Sequence, residues 1–239
     1  MKFSTKVAAI ATTALAAAAG ADTWLIDIGS DESFRGASVS SPDGNGNHWT
    51  SVWGGAFYEN IADITGATTA VDFGFSYTGG EDSFNGPAGD TTINGPADTV
   101  YNAAALGNLG IDEAVYDFYV DSGFQIQNLD VNQTYDITFF GSHKFNSDDV
   151  TRYSVTDSTF ANELFGADLF VGTGNDHNQD TTVTLTNIAP QADGIIYIRF
   201  QGANGGQGYL NALQIDLVPA PGAVALLGMS GLAAVRRRR

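Results

Sequence analysis

His48-Trp49-Thr50-Ser51-Val52-Trp53 sets two indoles four residues apart beside an Asn-rich loop. A pyranose has an apolar C–H face and a hydroxyl rim. A sugar site therefore needs an exposed aromatic plate next to amide, carboxylate or guanidinium groups. On a strand, positions four apart face the same side, so Trp49 and Trp53 could form such a plate, and two core tryptophans would show the same spacing. Arg152-Tyr153 is a second polar-aromatic combination, with an ion pair to one of the many acids as the alternative role for Arg152. Tyr209-Leu210-Asn211, after a Gly-rich loop, is a third. There Asn211 also reads as a tie between the last strand and a neighbouring loop.

Metal and acid–base chemistry have less to draw on. Asp43-Gly44-Asn45-Gly46-Asn47 spaces Asp43, Asn45 and Asn47 as oxygen ligands at the first, third and fifth positions of a calcium loop. His48 stands where an EF-hand needs Gly, and Gly54 where it needs Glu. That leaves a looser calcium site, or a polar turn, as the reading, and no other cofactor is implied. Asn175, Asp176 and Asp180 form a similar set. The three histidines, His48, His143 and His177, all stand in polar segments and read as solvated loop residues. No Gly-x-Ser-x-Gly elbow is present, and paired carboxylates cannot be singled out among 27 acids without geometry. The expectation is a protein without catalytic residues. There is no cysteine, which excludes disulfides, a thiolate nucleophile and Cys-based zinc sites.

The two ends concern delivery. Lys2 and Lys6 precede the apolar Val7-to-Ala19 stretch, and Ala19-Gly20-Ala21 is a small-x-small cleavage site. Residues 1–21 therefore read as a signal peptide. At the other end, Val218, Pro219, Ala220 and Pro221 lead into an uncharged run from Gly222 to Val235, closed by Arg236, Arg237, Arg238 and Arg239. As a helix that run would span roughly 21 Å, short of the ~30 Å hydrocarbon core. It would hold the chain in a membrane only transiently. The order of motif, short apolar helix and arginines resembles a PEP-CTERM sorting signal, with Ala220 where the usual motif has Glu. The resemblance implies an exosortase-type processing protease as partner. It also implies export to the cell surface, outer membrane or extracellular matrix of a Gram-negative-type bacterium.

Between these ends lie residues 22–217. Removing the ends takes two lysines, four arginines and no acid. Four basic residues (Arg35, Lys144, Arg152 and Arg199) remain against 27 acidic ones, a net charge of −23. Such a surface repels nucleic acid and anionic lipid. The length suffices to bury about 70% of the unfolded surface in one core.

The elements that must position the candidate residues are strands. Val71, Phe73, Phe75 and Tyr77 alternate with Asp72, Gly74 and Ser76. Tyr135, Ile137 and Phe139 alternate likewise, as do Val183 and Leu185, and Ile196, Ile198 and Phe200. Trp24 to Ile28 opens the domain, Tyr209 to Leu217 closes it, and Tyr101 to Leu109 predicts a short helical turn. Gly, Asn and Asp clusters punctuate the runs. Short strands with Gly-rich turns predict an all-β antiparallel sandwich in one domain.

The segments TWLIDIGS, NHWTSVWG, NLDVNQTYDITFFGSHKF, QADGIIYIRFQG and GYLNALQIDL occur in that order. Together they resemble the galactose-binding-like β-sandwich domains of planctomycete-type secreted proteins. The resemblance implies a jelly roll that binds carbohydrate. The family's segment often reads Phe-Gly-Ser-Arg; here His143 takes the last place. The expected function is non-catalytic binding of polysaccharide, such as the cell's own exopolysaccharide, through Trp49, Trp53, His143, Arg152, Tyr209 and Asn211. The alternatives are a structural or adhesive surface or biofilm-matrix protein and a polysaccharide-active hydrolase.

Overall fold

The computed structural model describes residues 22–29, 38–53, 56–77, 80–82, 101–143, 149–173 and 176–219. The leader, the tail beyond 219, Arg35 and Lys144 lie outside the described residues.

Among the described residues sixteen strands follow in chain order. They are β1 (Thr23–Ile28), β2 (Thr50–Val52), β3 (Phe57–Tyr58), β4 (Asp72–Tyr77), β5 (Gly80–Asp82), β6 (Phe118–Val120), β7 (Gly123–Gln127) and β8 (Thr134–Phe140). Then come β9 (Val150–Thr156), β10 (Glu163–Phe170), β11 (Gly172–Thr173), β12 (Asp176–His177), β13 (Val183–Ile188), β14 (Ile196–Gly202), β15 (Tyr209–Leu210) and β16 (Ala212–Val218). One short helix, α1 (Ala103–Leu106), sits between β5 and β6 with Asn102 as its cap, and a 3₁₀ turn over Gly107–Leu109 follows it. This is the helical turn expected over Tyr101 to Leu109. No helix among the described residues is long and apolar enough to cross a membrane.

Two large sheets face each other. One runs β13-β8-β16-β1-β2 and the other β10-β9-β14-β7-β4-β3. The period-two apolar residues point between them. Ile26, Ile137, Leu185, Leu213 and Ile215 from one sheet share a core with Phe73, Phe124, Tyr153, Ile198 and Phe200 from the other. The rings of Phe139 and Tyr153 stack across the gap at 4.4 Å. The expectation of a β-sandwich is met. One pair departs from an all-antiparallel scheme: β2 joins β1 in parallel, Ile26 opposite Thr50. A parallel neighbour needs a long return, and the chain uses the segment between Ile28 and Thr50 for it.

A second apolar layer covers the outside of the first sheet. Leu25, Phe140 and Ala212 point away from the main core. They pack with Val39, Trp49, Tyr101, Leu106, Leu109 and Val115. This explains why β1 is a nearly continuous apolar run rather than an alternating one: both of its faces are covered. The closing strand expected from Tyr209 to Leu217 breaks at Asn211 into β15 and β16. β15 pairs with β6, and β16 pairs with β1 and β8.

Candidate functional site

One end of the sandwich gathers the polar residues that the strands leave behind. β8 runs out through Gly141, Ser142 and His143, the β15–β16 break places Asn211 beside them, and the β11–β12 hairpin closes over the top. Asn211 is wholly buried. Its amide Nδ2 donates to the carbonyls of Val115 (3.1 Å) and Asp117 (2.9 Å), while its Oδ1 accepts from the Ser142 amide (2.7 Å). The tie predicted for it is therefore threefold and joins β8, β16 and the segment leading into β6.

His143 is 7% exposed and His177 5%. This corrects the reading of both as solvated loop residues. The His143 ring lies flat on Tyr209 (4.5 Å, 2°) and meets the edge of Phe118 at 4.7 Å. Burial, with His177 as a like-charged neighbour, pushes the His143 imidazole down to about 4. It is neutral at pH 7. Burial, with the charges of Asp149 and Asp121, raises the Tyr209 phenol well above its ordinary value. The hydroxyl stays protonated and donates to Gln207.

Of the six residues predicted to bind sugar, His143, Tyr209 and Asn211 come together here, all inside the protein. The other three are scattered. Trp49 is 5% exposed and Trp53 50%, which corrects the picture of one shared plate: Trp49 lies in the second apolar layer. Its indole N–H donates to Asp43 Oδ2 at 3.0 Å. Arg152 takes the alternative predicted for it. On the outer face of the six-stranded sheet its guanidinium pairs with Glu163 and with Asp168 (3.0 Å), and these carboxylates raise its already high pKa.

The calcium reading gains no support from the hydrogen bonds of this turn. Asp43 Oδ1 accepts from the amides of Asn45 (2.8 Å) and Asn47 (2.9 Å), while Oδ2 holds the Trp49 indole. Burial alone would raise this carboxyl, but the Trp49, Asn47 and Asn45 donors outweigh burial and hold it below the usual carboxylate range. Asp43 thus caps its own turn and anchors a core tryptophan. No group of three or more acidic or histidine side chains among the described residues could hold a metal. In the related set Asp180 accepts from Thr181 Oγ1 at 3.0 Å, and the side chains of Asn175 and Asp176 lie outside the described residues. Asp43→Asn is expected to cost about 1–2 kcal/mol by weakening charge-assisted bonds. Calcium should leave the melting temperature of the native chain unchanged. Thermal melts of both proteins with calcium and with EDTA check this.

Above the buried histidines opens a hollow of about 450 Å³, floored by Gly172 and His177. Phe170, the last residue of β10, stands at its rim with 62% of its surface exposed. The rest of the lining is polar: Asn178, Gln179, Asp180 and Thr181. Asn178 builds that lining. Its Nδ2 donates to the carbonyls of Gly141 (2.9 Å) and Thr181 (2.7 Å), and its Oδ1 accepts from the Thr181 amide (3.0 Å). The Gln179 carbonyl accepts from Asn102 N at 3.0 Å, which latches the loop to the cap of α1. Gln179, Asp180 and Thr181 are left partly or wholly exposed at the mouth. Sequence reasoning missed Phe170 because it ends an edge strand that does not alternate. It read the polar run after His177 as a turn, with Asp180 as part of a calcium set.

No family model matches this chain, and no curated protein matches it. Among solved structures it is similar to a calcium-binding mutant of Bacteroides uniformis beta-glucuronidase 2, with 13% identity and a TM-score of 0.36 over 72% of this chain. The match spans only 20% of that structure's length. A likeness at that score says nothing about activity.

Proposed function

We propose that the chain is an exported, non-catalytic carbohydrate-binding protein whose sandwich is a galactose-binding-like jelly roll. In this reading residues 1–21 are removed on export. The tail from Val218 is a PEP-CTERM-type signal, read by an exosortase-type protease during a transient stay in the membrane. The cell's own polysaccharide is the ligand. The single observation that carries the binding role is that the exposed Phe170 ring lines the same hollow as an amide, a carboxylate and a hydroxyl on Gln179, Asp180 and Thr181. A ring with one free face suits the C–H face of a sugar, and the polar lining suits its hydroxyls.

Phe170→Ala is expected to weaken retention on the bound glycan about tenfold, the equivalent of roughly 1.4 kcal/mol for one lost stacking contact. The exposed site should leave the melting temperature within about a degree. A glycan array followed by affinity electrophoresis checks both. Unchanged retention would remove the hollow from consideration, and turnover of any polysaccharide by the purified chain would replace binding with hydrolysis.

A second reading, of an adhesive or matrix protein, has its own observation. β10 is an edge strand that exposes Leu164, Phe165 and Phe170, while its acids Glu163 and Asp168 are turned back onto Arg152. Charges that usually guard such an edge are thus withdrawn. Concentration-dependent self-association with no retention on any glycan would favour this reading.

A further inference from the structure

The outer face of the six-stranded sheet carries an aromatic ring set differently from any in the core. Phe57 of β3 lies opposite Gly74 of β4, Gly74 opposite Gln125 of β7, and Gln125 opposite Tyr197 of β14. Their neighbours in register, Tyr58, Phe73 and Ile126, turn into the main core, so this row faces out. A methyl group on Gly74 would collide with the Phe57 ring, so the ring rests directly on the glycine backbone. Its other side is open: Phe57 is 46% exposed. Trp53, also half exposed, lies just before this strand, and its amide donates to the Tyr58 hydroxyl at 3.2 Å. The Gln125 amide lies two strands across, about 10 Å at the ordinary strand spacing. On the far side Phe160 packs edge-on against Tyr197 (5.5 Å), and Arg199 holds the Phe160 carbonyl at 2.9 Å, which raises a wall there.

We propose that this face is a second saccharide-binding surface, in which Phe57 stacks on a pyranose ring and Gln125 bonds its hydroxyls, and that it takes uncharged glycan chains and rejects anionic ones. It rests on the carbohydrate reading of the chain but on none of the residues of the hollow. The charge preference follows from the cations nearby. On this face Arg152 is committed to Glu163 and Asp168, and Arg199 to the carbonyls of Phe160 and Ala161. The chain as a whole carries a net charge of −17. A uronate or sulfate would meet the repulsion of that net charge, whereas stacking and amide bonds need no charge.

The test uses the whole chain in affinity gels containing soluble neutral glucan, galactan, mannan or xylan, with carboxymethylcellulose and alginate as anionic polymers. Phe57→Leu keeps an apolar cover over Gly74 but removes the flat ring; Phe57→Tyr keeps the ring. The expected result is retardation by a neutral polymer only, a loss of at least threefold in Phe57→Leu at unchanged melting temperature, and retention in Phe57→Tyr. Trp53 supplies an independent signal, because Trp24 and Trp49 are buried. Saturating neutral polymer should blue-shift the emission, and Trp53→Phe should abolish the shift. Wild-type retardation in Phe57→Leu, with no emission change, overturns the second surface. If Phe170→Ala loses retardation in that case, the carbohydrate reading survives without this surface. Stronger retardation by an anionic polymer overturns the charge preference, and retardation by none of the polymers overturns both the surface and the reading.

Discussion

Asn211→Ala is expected to remove about 3–6 kcal/mol of folding stability. Losing each of its three buried hydrogen bonds costs about 1–2 kcal/mol: the carbonyls of Val115 and Asp117 and the amide of Ser142 all give up their bond to this side chain. A domain of this size is stable by only about 5–15 kcal/mol, so the variant would sit at the margin of folding. Asn211→Asp separates the contributions: its carboxylate still accepts from Ser142 N but faces two carbonyls with no donor to offer. It should therefore be at least as damaging as alanine at neutral pH. Urea unfolding followed by circular dichroism measures both. A loss under 1 kcal/mol in Asn211→Ala would mean that the three strand ends are held by their own ladders and that the tie is redundant.

His143 makes the fold sensitive to acid above the range where carboxylates act. Its pKa is about 4 in the folded chain, against 6.5 for the free side chain. Above pH 6.5 both states hold the ring neutral, and the full stability is present. As pH falls from 6.5 toward 4 the unfolded chain takes up a proton that the folded chain refuses. Unfolding is then favoured, and stability is lost by about 3 kcal/mol over that window. Below pH 4 the folded ring charges too, and this contribution stops changing. The carboxyls of Asp43 and Asp63 are held below their usual range by the donors around them. Their stabilisation is lost at lower pH still, so the two effects occupy different windows. His143→Phe keeps a ring on Tyr209 and cannot titrate; its denaturation midpoint should be flat between pH 6.5 and 4.5. A wild-type chain equally stable at pH 7 and 4.5 would show that the folded imidazole takes its proton as readily as the free one.

The sandwich was legible wherever side chains alternate. Phe73, Ile137 and Ile198 each have a polar neighbour on either side in sequence, and each points into the main core. The role of Asn211 as a tie was also legible, because a lone amide between Leu210 and Ala212 in a strand asks for buried partners. Burial of the histidines was not. His143 and His177 stand among Ser, Lys, Asn and Asp in the chain, and their cover comes from Phe118, Tyr209 and Tyr101, which are distant in sequence. Arg152 was ambiguous because the Glu163 and Asp168 that claim it sit on the partner strand across a turn. The calcium spacing of Asp43, Asn45 and Asn47 is real as a pattern, but a pattern of oxygens does not say which way they point.

What the sequence by itself determined is the class of the body and the sign of its charge. A side-chain period of two maps directly onto the pleat, and a count of acids needs no coordinates. Only the tertiary structure decided which aromatic rings meet solvent. Trp49 and Trp53 share a local pattern. Trp49 is covered by a layer that returns from residues 101–115, while Trp53, just past the end of β2, is left half bare. Exposure is a property of what the rest of the chain leaves uncovered, and contacts formed at that separation leave no periodic trace in the residues they cover.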